Sequence, residues 1–207
     1  MDIKIRQATR DDSETIAKAV LESSRADKNV SIFDFIFQAG DDAGLIEFLQ
    51  KLATTDTKSY VHYSNFIIAE VNGEIAGVLC GYEPRIATHE VFGKALNEVG
   101  VSGDYRERIS GYLIVEPEID KQTWVLDFMA VKDEYHEFNV LKELIRKSLL
   151  TARLKGYRKA QTVVEIGSVE AQMVYEKLGF HLIDEKKSDY YKEQFGRAGI
   201  MRLQMEL

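Results

Sequence analysis

The stretch 124–180 constrains this chain most: a strand, a charged break, a long amphipathic helix, a second strand, then a short helix ending in Leu178-Gly179-Phe180. Its first strand, 124–131, is apolar on both faces except at Asp127, which suits a central position in a sheet covered on both sides. Leu141, Leu144, Ile145, Ser148, Leu149 and Ala152 then recur at i, i+3, i+4, i+7, i+8 and i+11. Glu143 and Lys147 form an i,i+4 pair on that helix and Gly156 supplies its stop. A strand is expected at 159–166, a helix at 168–178, and closing strands at 181–185 and 200–207, with 188–199 a loop containing some helix.

Upstream, 3–7 alternates like a half-buried strand, and Thr9 with an acid three residues on, Asp12, marks a helix start that Ile16, Ala17, Val20 and Leu21 continue. Two short helices are expected within 31–53, separated at Gly40-Asp41-Asp42. The clearest β signal is 66–71, Asn72-Gly73, 74–82, a hairpin whose two turn residues both accept positive φ. Pro84 ends its second strand. Residues 85–122 are charged and weakly patterned, with helices expected at 90–99 and 105–113. A minimal domain needs only a turn there, so the segment reads as an insertion that supplies substrate contacts or a subunit interface. With no repeat or linker, 1–207 reads as a single α/β domain.

Thirty-four acidic against 27 basic side chains give a formal charge of −7, which repels a phosphate backbone, so nucleic acid is not an expected partner. The same charge would draw in a cationic amine. No window approaches ~20 apolar residues and no basic-then-apolar leader opens the chain, so neither a membrane span nor a signal peptide is expected, and a cytoplasmic location is. Cys80, the sole cysteine, excludes an intramolecular disulfide and sits in an apolar run as a core residue. His62, His89, His136 and His181 lack metal-ligand spacing, so no metal is expected.

Several residues invite chemistry. Strict alternation puts Asp127 on one strand face with Val125 and Met129, where a carboxylate is costly unless paired or functional. Burial would raise its pKa toward that of a useful base; the alternative is an Asp that bonds backbone or orients substrate. The strand-to-helix break, His136-Glu137-Phe138-Asn139-Val140-Leu141, presents free N–H groups that suit a diphosphate, or else is an ordinary solvated turn. Asn139 tolerates positive φ, His136 can donate to phosphate, and Leu141 must turn into the core to leave room. Tyr175 packs in step with Ala171, Val174 and Leu178. Ser168 reads as an N-cap, and Gly179-Phe180 as a left-handed helix end with an apolar residue folding back. Tyr60, Tyr63 and Phe66 read as sheet packing, the 33–37 aromatic group as core, lid or acceptor pocket, and Glu116, Glu118 and Asp120 as a solvated acidic loop or a meeting place for a cationic substrate.

The element order across 124–180, with Ala171 and Tyr175 four apart and Gly179-Phe180 closing, resembles the GNAT superfamily of acyl-CoA-dependent N-acyltransferases. The resemblance implies a mixed, mostly antiparallel, twisted sheet of about seven strands flanked by helices. It implies acetyl-CoA as co-substrate and transfer of an acetyl group to a small-molecule or peptide primary amine by direct attack. Tyr175 would then protonate the departing thiolate, with Asp127 as base. Main-chain groups of Met129, Ala130 and Val131 would pair with the pantetheine arm, while His136, Asn139, Val140, Leu141 and Ser168 would stand at the cofactor. The family's Q/R-x-x-G-x-G/A loop is not kept: His136, Asn139 and Leu141 occupy its three positions. A second function therefore stands beside the enzyme, a catalytically silent binding or dimerisation module, with a homodimer formed through the insertion or the final strands. A Leu141 or Phe138 side chain plugging the break would favour it.

Overall fold

The computed structural model describes residues 2–136 and 139–207. Seven strands, β1 (Ile3–Gln7), β2 (Phe66–Val71), β3 (Glu74–Tyr82), β4 (Thr123–Val131), β5 (Lys159–Glu165), β6 (His181–Lys187) and β7 (Gly199–Glu206), form one sheet in the order β1-β2-β3-β4-β5-β7-β6. Only β4 and β5 run parallel; every other neighbouring pair is antiparallel. This is the mixed, mostly antiparallel sheet that the resemblance implied. Among the described residues the helices are α1 (Ser13–Arg25), α2 (Ile32–Phe37), α3 (Asp42–Ala53), α4 (His89–Glu98), α5 (Tyr105–Arg108), α6 (Ser110–Val115), α7 (Val140–Leu154), α8 (Val169–Lys177) and α9 (Asp189–Phe195). Helix α7 is the crossover that a parallel β4–β5 pair requires.

Local chemistry explains most boundaries. Thr9 and Asp12 form the expected capping box, and Arg6 holds both Asp12 oxygens at 2.8 Å, tying β1 to the start of α1. Asn72 and Gly73 take φ of 54° and 86°, as the hairpin demands. Gly179 takes φ 98°, and Phe180 folds back to an edge-to-face contact with Tyr175 at 5.4 Å. Two details differ from expectation. Glu143 pairs with Arg146 at 2.8 Å rather than with Lys147, and the helix expected at 105–113 breaks at Ile109 into α5 and α6.

Each sheet face carries a core. On one, α1 to α4 cover Ile68, Val78, Cys80, Val125 and Phe128 with Ile16, Val20, Phe33, Leu49 and Leu96. On the other, α7 and α8 bring Leu144, Ile145 and Tyr175 onto Leu79, Trp124, Leu126 and Leu203. Two glycines let α7 approach. A Cβ at Gly77 would lie 3.2 Å from Leu144 Cδ1, and one at Gly81 would lie 2.5 Å from Ser148 Oγ, the acceptor of the buried Trp124 Nε1–H bond at 3.0 Å.

Candidate active site

Strands β4 and β5 start together and then part. Their register joins Thr123 to Lys159, Trp124 to Ala160 and Val125 to Gln161, and ends there, although β4 continues to Val131 and β5 to Glu165. Beyond Val125 the β4 edge therefore borders an opening in the middle of the sheet.

A bulge re-aims the side chains at that opening. Against β3, Cys80 lies opposite Asp127 and Val78 opposite Ala130, so Phe128 and Met129 together face Leu79, with Phe128 at φ 43°. The extra residue resets the alternation: Val125 and Phe128 pack in the α1 to α4 core, while Met129 joins the α7–α8 core. Asp127 and Met129 thus do not share a face, contrary to the strict alternation expected. A positive φ at Phe has no sequence signature of the kind that Gly, Asn or Asp provides.

Asp127 is half-buried, and its Oδ1 accepts the Phe128 N–H at 2.8 Å. Burial, only partly offset by that hydrogen bond, pushes its pKa up to about 6, and among the described residues no cation opposes the shift. Tyr175 is buried on the α8 side, its hydroxyl 3.8 Å from Met129 Sδ. Burial pushes the phenol up to about 12, with Thr162 opposing through a hydrogen bond and the Asp127 charge adding to the rise. A carboxylate that can accept a proton and a phenol that holds one thus flank the place where the strands part.

At the head of α7, Asn139 takes the left-handed φ of 43° that its side chain tolerates. The helical ladder begins with Glu143 N–H donating to Asn139 O at 3.0 Å, so the N–H groups of Val140, Leu141 and Lys142 precede it. Leu141 is half-buried against the α7–α8 core, and Val140 is buried. Phe138, the other side chain able to plug the break, lies outside the described residues. His136 turns back instead of reaching forward: its Nε2–H donates to Val131 O at 2.7 Å. In the neutral ring that spends the only N–H. Ser168 makes no side-chain cap; its N–H donates to Glu165 O at 3.0 Å and α8 starts at Val169. Ala130 and Val131 are half-buried at the end of β4.

One group near the opening escaped the sequence reading. Glu165 Oε1, at the end of β5, accepts from Lys28 Nζ and from the Tyr191 hydroxyl, each at 2.5 Å. The partners of Glu165 lie 137 and 26 residues from it, so no local spacing reveals that group. Tyr60 packs on the sheet as expected, against Tyr82 of β3 at 5.8 Å and Phe128 of β4 at 6.1 Å, and meets Phe92 of α4 at 4.8 Å. A cavity of about 520 Å³ lies elsewhere, between Trp124, Ser148, Lys155 and Arg85, and neither Asp127 nor Tyr175 lines it. Among the described residues no cluster of His, Cys, Asp and Glu could hold a metal ion, and no helix is long and apolar enough to cross a membrane.

Known structures share this architecture. An N-acetyltransferase from Staphylococcus aureus Mu50 superposes with a TM-score of 0.70 at 17% identity, over 98% of this chain and 100% of its own. Another acetyltransferase gives 0.67 at 20% identity, over 98% of both chains, and a Drosophila melanogaster polyamine N-acetyltransferase gives 0.58 at 14%, over 100% of both. At such identities the likeness is one of fold. No curated protein matches the chain in sequence. The sequence model of the acetyltransferase (GNAT) family matches residues 33–180, well over half the chain, and with the sheet, the parted strands and the helix order it establishes that this protein belongs to that family of acyltransferase enzymes.

Proposed function

We propose that the protein transfers an acetyl group from acetyl-CoA to a primary amine by direct attack, with no covalent enzyme intermediate. The observation that carries this reading is the end of β4–β5 pairing at Val125 and Gln161, which leaves the β4 edge beside Tyr175 and Met129 open. A pantetheine arm carries amides, and such an edge offers it main-chain partners at Met129, Ala130 and Val131 in the manner of an added strand. For the diphosphate, the N–H groups of Val140, Leu141 and Lys142 stand ahead of the α7 ladder. The left-handed Asn139 and the inward-packed Leu141 fit this use, since neither needs the glycines the family usually places there. His136, occupied by Val131 O, holds the loop against β4.

Acetyl-CoA supplies an acyl group already activated as a thioester. Asp127, largely ionised at neutral pH, takes a proton from the substrate ammonium directly or through water and so frees the nitrogen lone pair; the free amine then attacks the thioester carbonyl, the C–N bond forming and the C–S bond breaking with the electron pair leaving on sulfur. Tyr175 meets the departing sulfur. Complete transfer from a phenol at about 12 to a thiolate with the usual pKa of ~8.5 is uphill by about 5 kcal/mol, so a hydrogen bond to the developing charge is the larger part of its work.

Thermal denaturation with acetyl-CoA tests the reading first: at ~100 times its dissociation constant the ligand adds about 2.7 kcal/mol. Free-thiol release on mixing with primary amines tests it second. A melting temperature unmoved by millimolar acetyl-CoA would favour the binding or dimerisation module.

A further inference from the structure

The cavity of about 520 Å³ lies where β4 begins, before the strands part. Its floor joins the end of β3 to the start of β4 at Tyr82 and Trp124, and one wall is the last half of α7 at Ser148 and Thr151, with Lys155 just beyond. The N–H groups assigned to the diphosphate stand at the opposite end of that 15-residue helix, about 20 Å away. Ile67, Ile86 and Val91 complete an apolar lining. In a chain of net charge −7, this cavity gathers three cations, Lys58, Arg85 and Lys155, and one carboxylate, Glu83. Both Glu83 oxygens are taken: Oε1 accepts from Lys155 Nζ and Oε2 from Arg85 Nε, each at 2.6 Å. Lys155 also lies over the Trp124 ring, 5.3 Å from its centre. Arg85 thus spends one N–H, and its two Nη groups, exposed at the rim, bond no described residue; nor does the exposed Lys58 ammonium. The amide donors are spent on the walls: Gln7 Nε2 donates to Ser64 O at 2.9 Å and Phe66 O at 2.7 Å, and Asn65 Nδ2 to Ser59 O at 2.8 Å. What remains for a ligand is a guanidinium fork and an ammonium above an apolar floor.

We propose that this cavity is a second small-molecule site, separate from the acyl-transfer opening, for an amphipathic oxyanion. Its carboxylate or phosphate monoester head is held by Arg85 and Lys58, and its apolar body lies against Ile67, Ile86 and Val91. Three cations against one carboxylate leave two positive charges for the head to neutralise. A neutral molecule of the same shape leaves them to water, and a cation meets like charge. The site stands whether or not the protein transfers acetyl groups.

Titration with sodium octanoate, followed by calorimetry and by the emission of Trp124, the sole tryptophan, tests the site. Saturable binding is expected, about tenfold tighter than that of 1-octanol or octylamine. Octyl phosphate run beside octanoate tells the two heads apart. Arg85→Gln and Lys58→Gln, both at exposed positions, should each weaken octanoate several-fold, while Lys147→Gln, the same charge change on α7 outside the cavity, should leave it unmoved. Octanol bound as tightly as octanoate, or octanoate binding unchanged in both rim variants, overturns the oxyanion site. Neither heat nor an emission change at millimolar octanoate removes it. Displacement of octanoate by acetyl-CoA would put the probe in the β4–β5 opening and likewise overturn the proposal, whereas equal binding with and without acetyl-CoA sustains it.

Discussion

Burial moves Asp127 and Tyr175 in one direction with opposite chemical results: it makes the carboxylate a better base and the phenol a weaker acid. For Asp127, whose folded pKa of about 6 lies above the model-compound 3.8, the ionised form destabilises the fold, so stability is fullest at low pH and declines as pH rises through 6. Asp127→Asn should therefore stabilise the protein at pH 8 by about 2 kcal/mol in urea, since a half-buried carboxylate keeps some water, while kcat/KM drops by roughly 10²-fold or more. In the parent enzyme kcat/KM should rise with pH through about 6, and that limb should vanish in the variant. A variant less stable and equally active would remove the base. Tyr175→Phe should lower kcat by roughly 10²-fold with acetyl-CoA affinity, read by calorimetry, changed less than about twofold. Unchanged turnover would leave Tyr175 a packing residue against Phe180.

Among elements, the hairpin and the β4 bulge show what was readable and why. Both need positive φ. Asn72-Gly73 announces it by residue type, whereas Phe128 adopts it because β3, the covering helices and the parting of β5 hold the strand that way. The bulge is nonetheless what separates Asp127 from Met129 and sets Met129 against Tyr175. The periodicity of α7 predicted its buried stripe, but its seating on β3 depends on Gly81. Gly81→Ala should push Ser148 from Trp124 and cost about 1–3 kcal/mol, and the fluorescence of Trp124, the sole tryptophan, should report the change. An unshifted denaturation midpoint would mean that α7 yields without loss.

For the whole molecule, the Lys28–Glu165 pair ties the segment after α1 to the end of β5 across a sequence separation of 137, with Tyr191 of α9 as a third partner. Their side chains are 11% and 13% exposed, so Glu165→Ala strands a nearly buried ammonium and should cost about 3 kcal/mol in urea denaturation. Replacing both, Lys28→Met with Glu165→Leu, should recover part of that loss, the rest remaining because the Tyr191 hydroxyl and the Arg197 guanidinium, 3.9 Å from Oε2, lose the same carboxylate; a double variant as weak as the single one would show that the stranded Lys28 ammonium is not the source of the loss. From sequence alone came what neighbours a few residues apart can encode: strand alternation, helical stripes, caps, the hairpin turn, and with them the sheet class, the family and the nomination of Tyr175 and Asp127. Only the tertiary structure decided that the bulge parts Asp127 from Met129, that His136 closes on Val131, and that Tyr60 packs among Tyr82, Phe92 and Phe128. Those contacts join residues far apart in the chain through a bulge and a parting of strands, and neither is written in the identity of the residues that form it.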